Sequence, residues 1–167
     1  MSEPGLDAPF HCRHCGGPTE ELAGQTHRLC GQCGQVTYVN PAPAVGVACL
    51  RGREVLLSLR AREPKVREWD LVGGFVEAGE TPQEAIEREV WEETGCALAA
   101  IRVHDTRPGD YAGTPTLNFL ATATLVGEPR AMDDSLELRW WPLDALPPVA
   151  WPHEAAFLKA LAERPAA

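Results

Sequence analysis

The stretch GFVEAGETPQEAIEREVWEETGC, residues 74–96, joins a glycine-bearing loop to a helix bounded at both ends. Thr81 is placed to cap the helix, Pro82 to occupy its first position, and Glu84 to close a capping box. Gly95 stands where a helix ends in a left-handed residue. Between these limits Glu89, Glu92 and Glu93 fall at i, i+3 and i+4, on one helical face, beside the apolar pair Ile86 and Val90. Three neighbouring carboxylates repel one another, and helix propensity does not call for them. A solvated acidic face is the ordinary reading. The preceding glycine loop and the lone Arg88 beside the cluster point instead to a site for one or more Mg²⁺ or Mn²⁺ ions, which favour carboxylate oxygen.

This stretch resembles the Nudix box, Gly-x5-Glu-x7-Arg-Glu-aliphatic-x-Glu-Glu-x-Gly-aliphatic. Gly74, Glu80, Arg88-Glu89-Val90, Glu92-Glu93 and Gly95 meet its fixed positions; Cys96 replaces the final aliphatic residue, and Val72 stands where many members have proline. The resemblance to Nudix hydrolases extends over roughly residues 39 to 160. It implies an α+β chain built as an α/β/α sandwich with a mixed sheet. It also implies that Glu89, Glu92, Glu93 and the Gly73 carbonyl hold Mg²⁺ or Mn²⁺, that Glu80 and Arg88 brace the loop, and that a nucleoside diphosphate linked to another group is hydrolysed. Glu89 and Glu93 are candidate catalytic carboxylates. Glu137, in the run DDSLELRW (residues 133–140), is a third, because relatives use a glutamate outside the box.

Working outward, residues 44–50 (AVGVACL) and 54–59 (EVLLSL) read as a hairpin across Arg51-Gly52-Arg53. Residues 69–76 (WDLVGGFV) start as a strand that Gly73-Gly74 should break. Residues 98–104, 116–126 and 136–141 read as further strands, and a helix is expected from about Pro152 toward Glu163. Residues 107–114 (RPGDYAGT) read as a Gly/Pro-rich loop over the site, making Tyr111 a candidate substrate contact; Arg60 is a second, as a cation following a strand. Trp69, Phe119, Trp140 and Trp141 are candidates for stacking on a base, although aromatic residues in strands usually serve the core.

Upstream, Cys12-x-x-Cys15 and Cys30-x-x-Cys33 form two CxxC pairs, followed by Gly16-Gly17 and Gly34. Two such turns supply the four sulfurs of a closed, structural Zn²⁺ site, which leaves no position for substrate. A segment with so little apolar content needs metal to fold. Redox chemistry or two disulfides are the weaker alternatives, and His11, His14 and His27 read as bystanders. The chain therefore divides into a flexible tail (1–10), a zinc ribbon (11–38) and a Nudix domain (39–167), with the boundary near Asn40-Pro41-Ala42-Pro43. Cys49 and Cys96 read as small buried residues.

The 167 residues carry 15 Lys and Arg against 24 Asp and Glu, a net charge of -9. That balance disfavours a protein that grips nucleic acid by bulk charge. No run approaches a membrane span and the start lacks a signal-peptide pattern, so a cytoplasmic chain is expected. The paired CxxC motifs next to a Nudix box are similar to the NADH pyrophosphatase branch, but residues 97–135 lack its Ser-Gln-Pro-Trp-Pro-Phe-Pro stretch. ADP-ribose or a similar nucleoside diphosphate sugar is thus the leading substrate class, with NADH pyrophosphatase activity the alternative within the class. A nucleotide-binding regulator without turnover is the alternative outside it. Homodimers are common among similar proteins, but no stretch here identifies an interface.

Overall fold

The computed structural model describes residues 11–22, 27–38 and 40–164. The tail assigned to residues 1–10 lies outside the described residues. Three short strands, β1 (Thr19–Glu21), β2 (His27–Cys30) and β3 (Val36–Tyr38), form an antiparallel sheet in the order β1-β2-β3. The second sheet is mixed. Its main path runs β10 (Ser135–Pro142), β5 (Glu54–Arg60), β4 (Ala42–Arg51), β9 (Thr114–Val126), β8 (Ala97–Tyr111). Strands β4 and β9 are parallel, and the other neighbours antiparallel.

Side-chain alternation along the central strands divides the core into two layers. Val45, Val47 and Cys49 of β4 and Leu56 of β5 pack with Ala85, Ile86 and Val90 of helix α1 (Pro82–Thr94). Ala48 of β4 and Val55 and Leu57 of β5 pack with Phe157, Leu158 and Leu161 of helix α2 (Pro152–Ala162). One helix thus covers each face, which is the α/β/α sandwich expected from the sequence. Helix α1 has the anticipated ends: Thr81 and Glu84 complete the capping box, and Gly95 closes the helix at φ 69°.

Two local expectations need correction. Gly73-Gly74 do not break a strand; they lie within β7 (Val72–Phe75), paired with Gly46 and Val45 of β4. The interruption falls at Leu71, where the chain leaves β5, its partner along β6 (Trp69–Asp70), and takes up β4. Residues 107–114 are not a covering loop either. β8 continues to Tyr111 and pairs with β9 up to Thr114. Pro108 is tolerated because β8 is the sheet edge, where its missing N–H costs no ladder bond.

Candidate active site and cysteine cluster

The box helix presents its acidic face to the end of β7. Arg88 organises this corner: Nε and Nη2 donate to the two oxygens of Glu80 at 2.7 and 3.0 Å, and Nη2 also donates to the Phe75 carbonyl at 2.9 Å. Its Nη1 donates to Glu89 Oε1 at 2.8 Å and Glu92 Oε2 at 3.1 Å. These bonds hold the Glu80 carboxyl down at about 2. Gly74 allows the close approach, because a Cβ there would collide with the Glu89 carboxylate.

Glu93 is the deepest of the three box carboxylates, 6% exposed. Oε1 accepts from Gly73 N–H at 3.1 Å and Oε2 from the Ser135 hydroxyl at 2.9 Å. Ser135 is itself 2.6 Å from the Ser58 hydroxyl, so a buried hydroxyl pair backs the carboxylate. Burial pushes the Glu93 carboxyl up to about 7, against these two hydrogen bonds. Burial likewise raises Glu89, whereas Arg88 opposes the rise. Glu92 is more open, with 44% of its side chain exposed.

These groups line one cavity of about 380 Å³. Its wall carries eight carboxylates (Glu63, Asp70, Glu77, Glu89, Glu92, Glu93, Asp133 and Asp134) and three arginines (Arg60, Arg62 and Arg88). Carboxylate oxygens are the hard donors that Mg²⁺ or Mn²⁺ favour. Two of the arginines are committed elsewhere. Arg88 holds the box, and Arg62 pairs with Asp134 at 2.6 Å and Asp133 at 3.4 Å across the rim.

The cavity admits some of the residues singled out from sequence and leaves others outside. Gly73, Glu89, Glu92, Glu93, Arg88, Arg60 and Tyr111 line it. Glu137 does not. A register shift in β10 between Ser135 and Glu137 turns Ser135 toward Glu93. Leu138 and Trp140 then pack on the α1 side of the sheet, and Trp141 packs on the α2 side. Glu137 is bonded to Arg139, whose guanidinium lies 5.3 Å from the Trp69 and Trp141 rings. Phe119 and Trp140 pack against the α1 layer, and Trp69 and Trp141 meet edge to face. The sequence reading did not assign Asp70, Asp134, Ser58, Ser135, Phe75 or Trp151 to the site. The WDL and DDS runs held the signal for three of them, Asp70, Asp134 and Ser135, and Phe75 directly follows the paired glycines, but nothing local distinguished Ser58 or Trp151.

The four paired cysteines meet as a second candidate centre. Their sulfurs all lie within 4.8 Å of one another, with Cys12–Cys33 at 3.7 Å and Cys15–Cys30 at 3.5 Å. A tetrahedron of sulfurs around Zn²⁺ has edges of about 3.8 Å. None of the four is in a disulfide. The two turns repeat each other: Gly16 N–H donates to the Cys12 carbonyl and Gly34 N–H to the Cys30 carbonyl, at φ 73° and 74°. Among the described residues no histidine joins this group. Cys49 and Cys96 are buried, as expected.

A β/α sandwich with a capped acidic helix over a carboxylate-lined cavity has counterparts among known proteins. The sequence profile of the family described as NUDIX domain matches residues 40–161. The NAD-capped RNA hydrolase NudC of Chromobacterium violaceum is 36% identical over 144 residues, covering 84% of this chain and 53% of its own. That of Haemophilus influenzae is 33% identical over 144 residues, covering 82% and 54%. The crystal structure of a MutT NUDIX hydrolase from Burkholderia pseudomallei is similar with a TM-score of 0.67 and 30% identity, covering 72% of this chain and 97% of that one. The chain belongs to the NUDIX family. It spans about half the length of the curated relatives it matches. Among the described residues no helix is long and apolar enough to cross a membrane.

Proposed function

We propose that this chain hydrolyses the pyrophosphate linkage of a nucleoside diphosphate joined to a further group. The supporting observation is the single cavity in which eight carboxylates outnumber three arginines beside the box helix. A diphosphate would be repelled from such a wall without added cations. Glu89, Glu92 and Glu93, with the Gly73 carbonyl, would hold Mg²⁺ or Mn²⁺. When bound, such an ion neutralises pyrophosphate charge and makes an attacking water more acidic.

The protein's own groups divide the remaining work. Arg88 fixes the loop by Glu80 and the helix by Glu89 and Glu92. Gly73 and Ser135 fix both oxygens of Glu93. Proton acceptance from water needs a carboxylate within reach of the cavity. Asp134 lines it and Glu137 does not, so the role proposed from sequence for Glu137 moves to Asp134, with Glu89 and Glu93 acting at the box. The four cysteines hold a structural Zn²⁺ that stabilises residues 11–38.

For the substrate, ADP-ribose or a similar nucleoside diphosphate sugar is the first reading, because residues 97–135 lack the stretch found in the NADH pyrophosphatase branch. NADH is the second, favoured by the similarity to NudC proteins. The test is incubation with Mg²⁺ and ADP-ribose, NADH, NAD-capped RNA, dinucleoside polyphosphates and nucleoside triphosphates, with phosphatase-coupled phosphate release. Cleavage of ADP-ribose ahead of NADH supports the first reading. The reverse order selects the second. Nucleotide binding without cleavage of any of them would make the chain a regulator.

A further inference from the structure

Where the cavity wall meets an adjoining cleft, two carboxyl groups are buried. Asp70 is 6% exposed and Glu154, in the first turn of α2, is 6% exposed. Asp70 Oδ2 accepts from Arg60 Nη1 at 2.6 Å and from the Trp151 indole N–H at 2.9 Å. Glu154 Oε2 accepts from Leu71 N–H at 3.1 Å. Asp70 Oδ1 is buried, yet no N–H or hydroxyl among the described residues reaches it. The Glu154 carboxyl is the neighbouring acid: it is bonded to the N–H of Leu71, the residue after Asp70, and both carboxyls line one cleft adjoining the cavity. A buried oxygen without a donor is costly, and two adjacent buried carboxylates are costlier still. One proton placed between them removes both costs.

We propose that Glu154 is a carboxylic acid that donates its proton to Asp70, that the pair thereby holds Arg60 at the cavity wall, and that Arg60 binds a phosphate of a nucleoside diphosphate there. The proposal rests on the reading of the cavity given above. Burial, and after it the Asp70 charge, hold the Glu154 carboxyl well above the ordinary carboxylate range, in agreement with the geometry.

Charge balance gives the arrangement its purpose. With one shared proton, Asp70 and Glu154 together carry a single negative charge, which Arg60 cancels. Were both ionised, the corner would carry a net negative charge and repel a phosphate. Arg60 is the arginine best placed for the task. Its side chain is 16% exposed, it lines both the large cavity and the adjoining cleft, and Asp70 is its one carboxylate partner among the described residues. Its Nε donates to the Pro64 carbonyl at 3.0 Å, and the Trp151 ring lies 5.4 Å from its guanidinium carbon. The guanidinium is thus fixed before any ligand arrives, so little ordering entropy is left to lose on binding. In these terms Asp70 and Glu154 are positioning residues and Arg60 is the contact.

The experiment measures ADP binding by calorimetry with Ca²⁺ present, in wild type, Arg60→Ala, Asp70→Asn, the Arg60→Ala/Asp70→Asn double variant and Glu154→Gln. Loss of a charge-assisted phosphate contact should weaken ADP binding about tenfold in Arg60→Ala. Asp70→Asn should approach that loss, and the double variant should fall no more than about twofold below Arg60→Ala, since both act through one contact. Glu154→Gln keeps a donor toward Asp70 and an acceptor for Leu71, so it should bind within about twofold of wild type. Unchanged binding in Arg60→Ala, or losses that multiply in the double variant, would overturn the contact. A Glu154→Gln loss as large as that of Asp70→Asn would overturn the shared proton.

A ligand-free arm separates this proposal from the functional reading. The infrared difference between wild type and Glu154→Gln at neutral pH should contain the C=O stretch of a protonated carboxylic acid, resolved from the carboxylate bands. Its absence would overturn the protonated Glu154 whatever the substrate. Wild type that fails to bind ADP while showing this band would overturn the phosphate contact and the functional reading together, leaving the proton assignment standing.

Discussion

Arg88 grips both oxygens of Glu80, at 2.7 and 3.0 Å, and with its remaining terminal nitrogen touches Glu89 and Glu92. One side chain therefore sets the spacing between the box loop and the acidic face of α1. It also offsets part of the repulsion among the carboxylates, and replacing it with lysine would lose the planar fork that makes both contacts.

The Glu80 contact gives a pH signature. Its carboxyl sits at about 2 in the folded chain, below the ordinary carboxylate value, because Arg88 favours the ionised form. A depressed folded value contributes stability above the unfolded value of about 4.3, and that contribution disappears as pH falls toward the folded value. Urea midpoints of wild type and Glu80→Gln should therefore differ at pH 6 and converge as the solution is acidified toward pH 3. A gap that stays constant would mean that Glu80 acts by packing alone.

Ser135→Ala removes the hydroxyl between Ser58 and Glu93. Leaving a buried carboxylate oxygen without its donor should cost about 1–3 kcal/mol of folding stability. Chemical denaturation reads this directly, and the loss should be smaller when Ser58→Ala is already present, because the two hydroxyls form one chain. Independent, additive losses would argue against the chain.

The cysteine cluster predicts one equivalent of zinc per chain, lost in Cys30→Ser. Amide exchange within residues 27–38 should then accelerate strongly, whereas residues of β4 and β9 keep their protection. Metal analysis and hydrogen exchange on the same samples decide the matter. Zinc-free protein with a protected ribbon would refute a metal-built segment.

Asp134→Asn should lower kcat by about a hundredfold or more if Asp134 takes the proton from water. Glu137→Gln, outside the cavity and bonded to Arg139, should change kcat by less than about twofold. Steady-state rates of the two variants on the substrate found by the panel would reverse this assignment if their order were inverted.

Helix α1 was legible because its signals are local: the Thr81 and Glu84 box, Pro82, Gly95 and the i, i+3, i+4 glutamates all lie in one continuous stretch. The cysteine pairs were legible for the same reason. Residues 44–50 and 54–59 were legible as a hairpin, whereas the α/β/α sandwich was expected from the resemblance to Nudix hydrolases. What escaped the sequence depends on long-range pairing. Residues 107–114 carry loop-forming glycine and proline, yet β9 draws them into a ladder that extends β8 to Tyr111. Glu137 looked suited to the site until one register shift in β10 turned Ser135 to the cavity side. Asp70 and Glu154 are 84 residues apart in sequence, and only the meeting of β6 with the start of α2 brings their carboxyls together.

The most direct test is the Mg²⁺-dependent kcat of Glu93→Gln on the cleaved substrate, with its circular dichroism compared with that of wild type. The account predicts a native spectrum and a loss on the order of a hundredfold or more, since a buried ligand at the reacting centre has been neutralised. A natively folded Glu93→Gln that retains wild-type kcat would show that the box helix does not carry the chemistry.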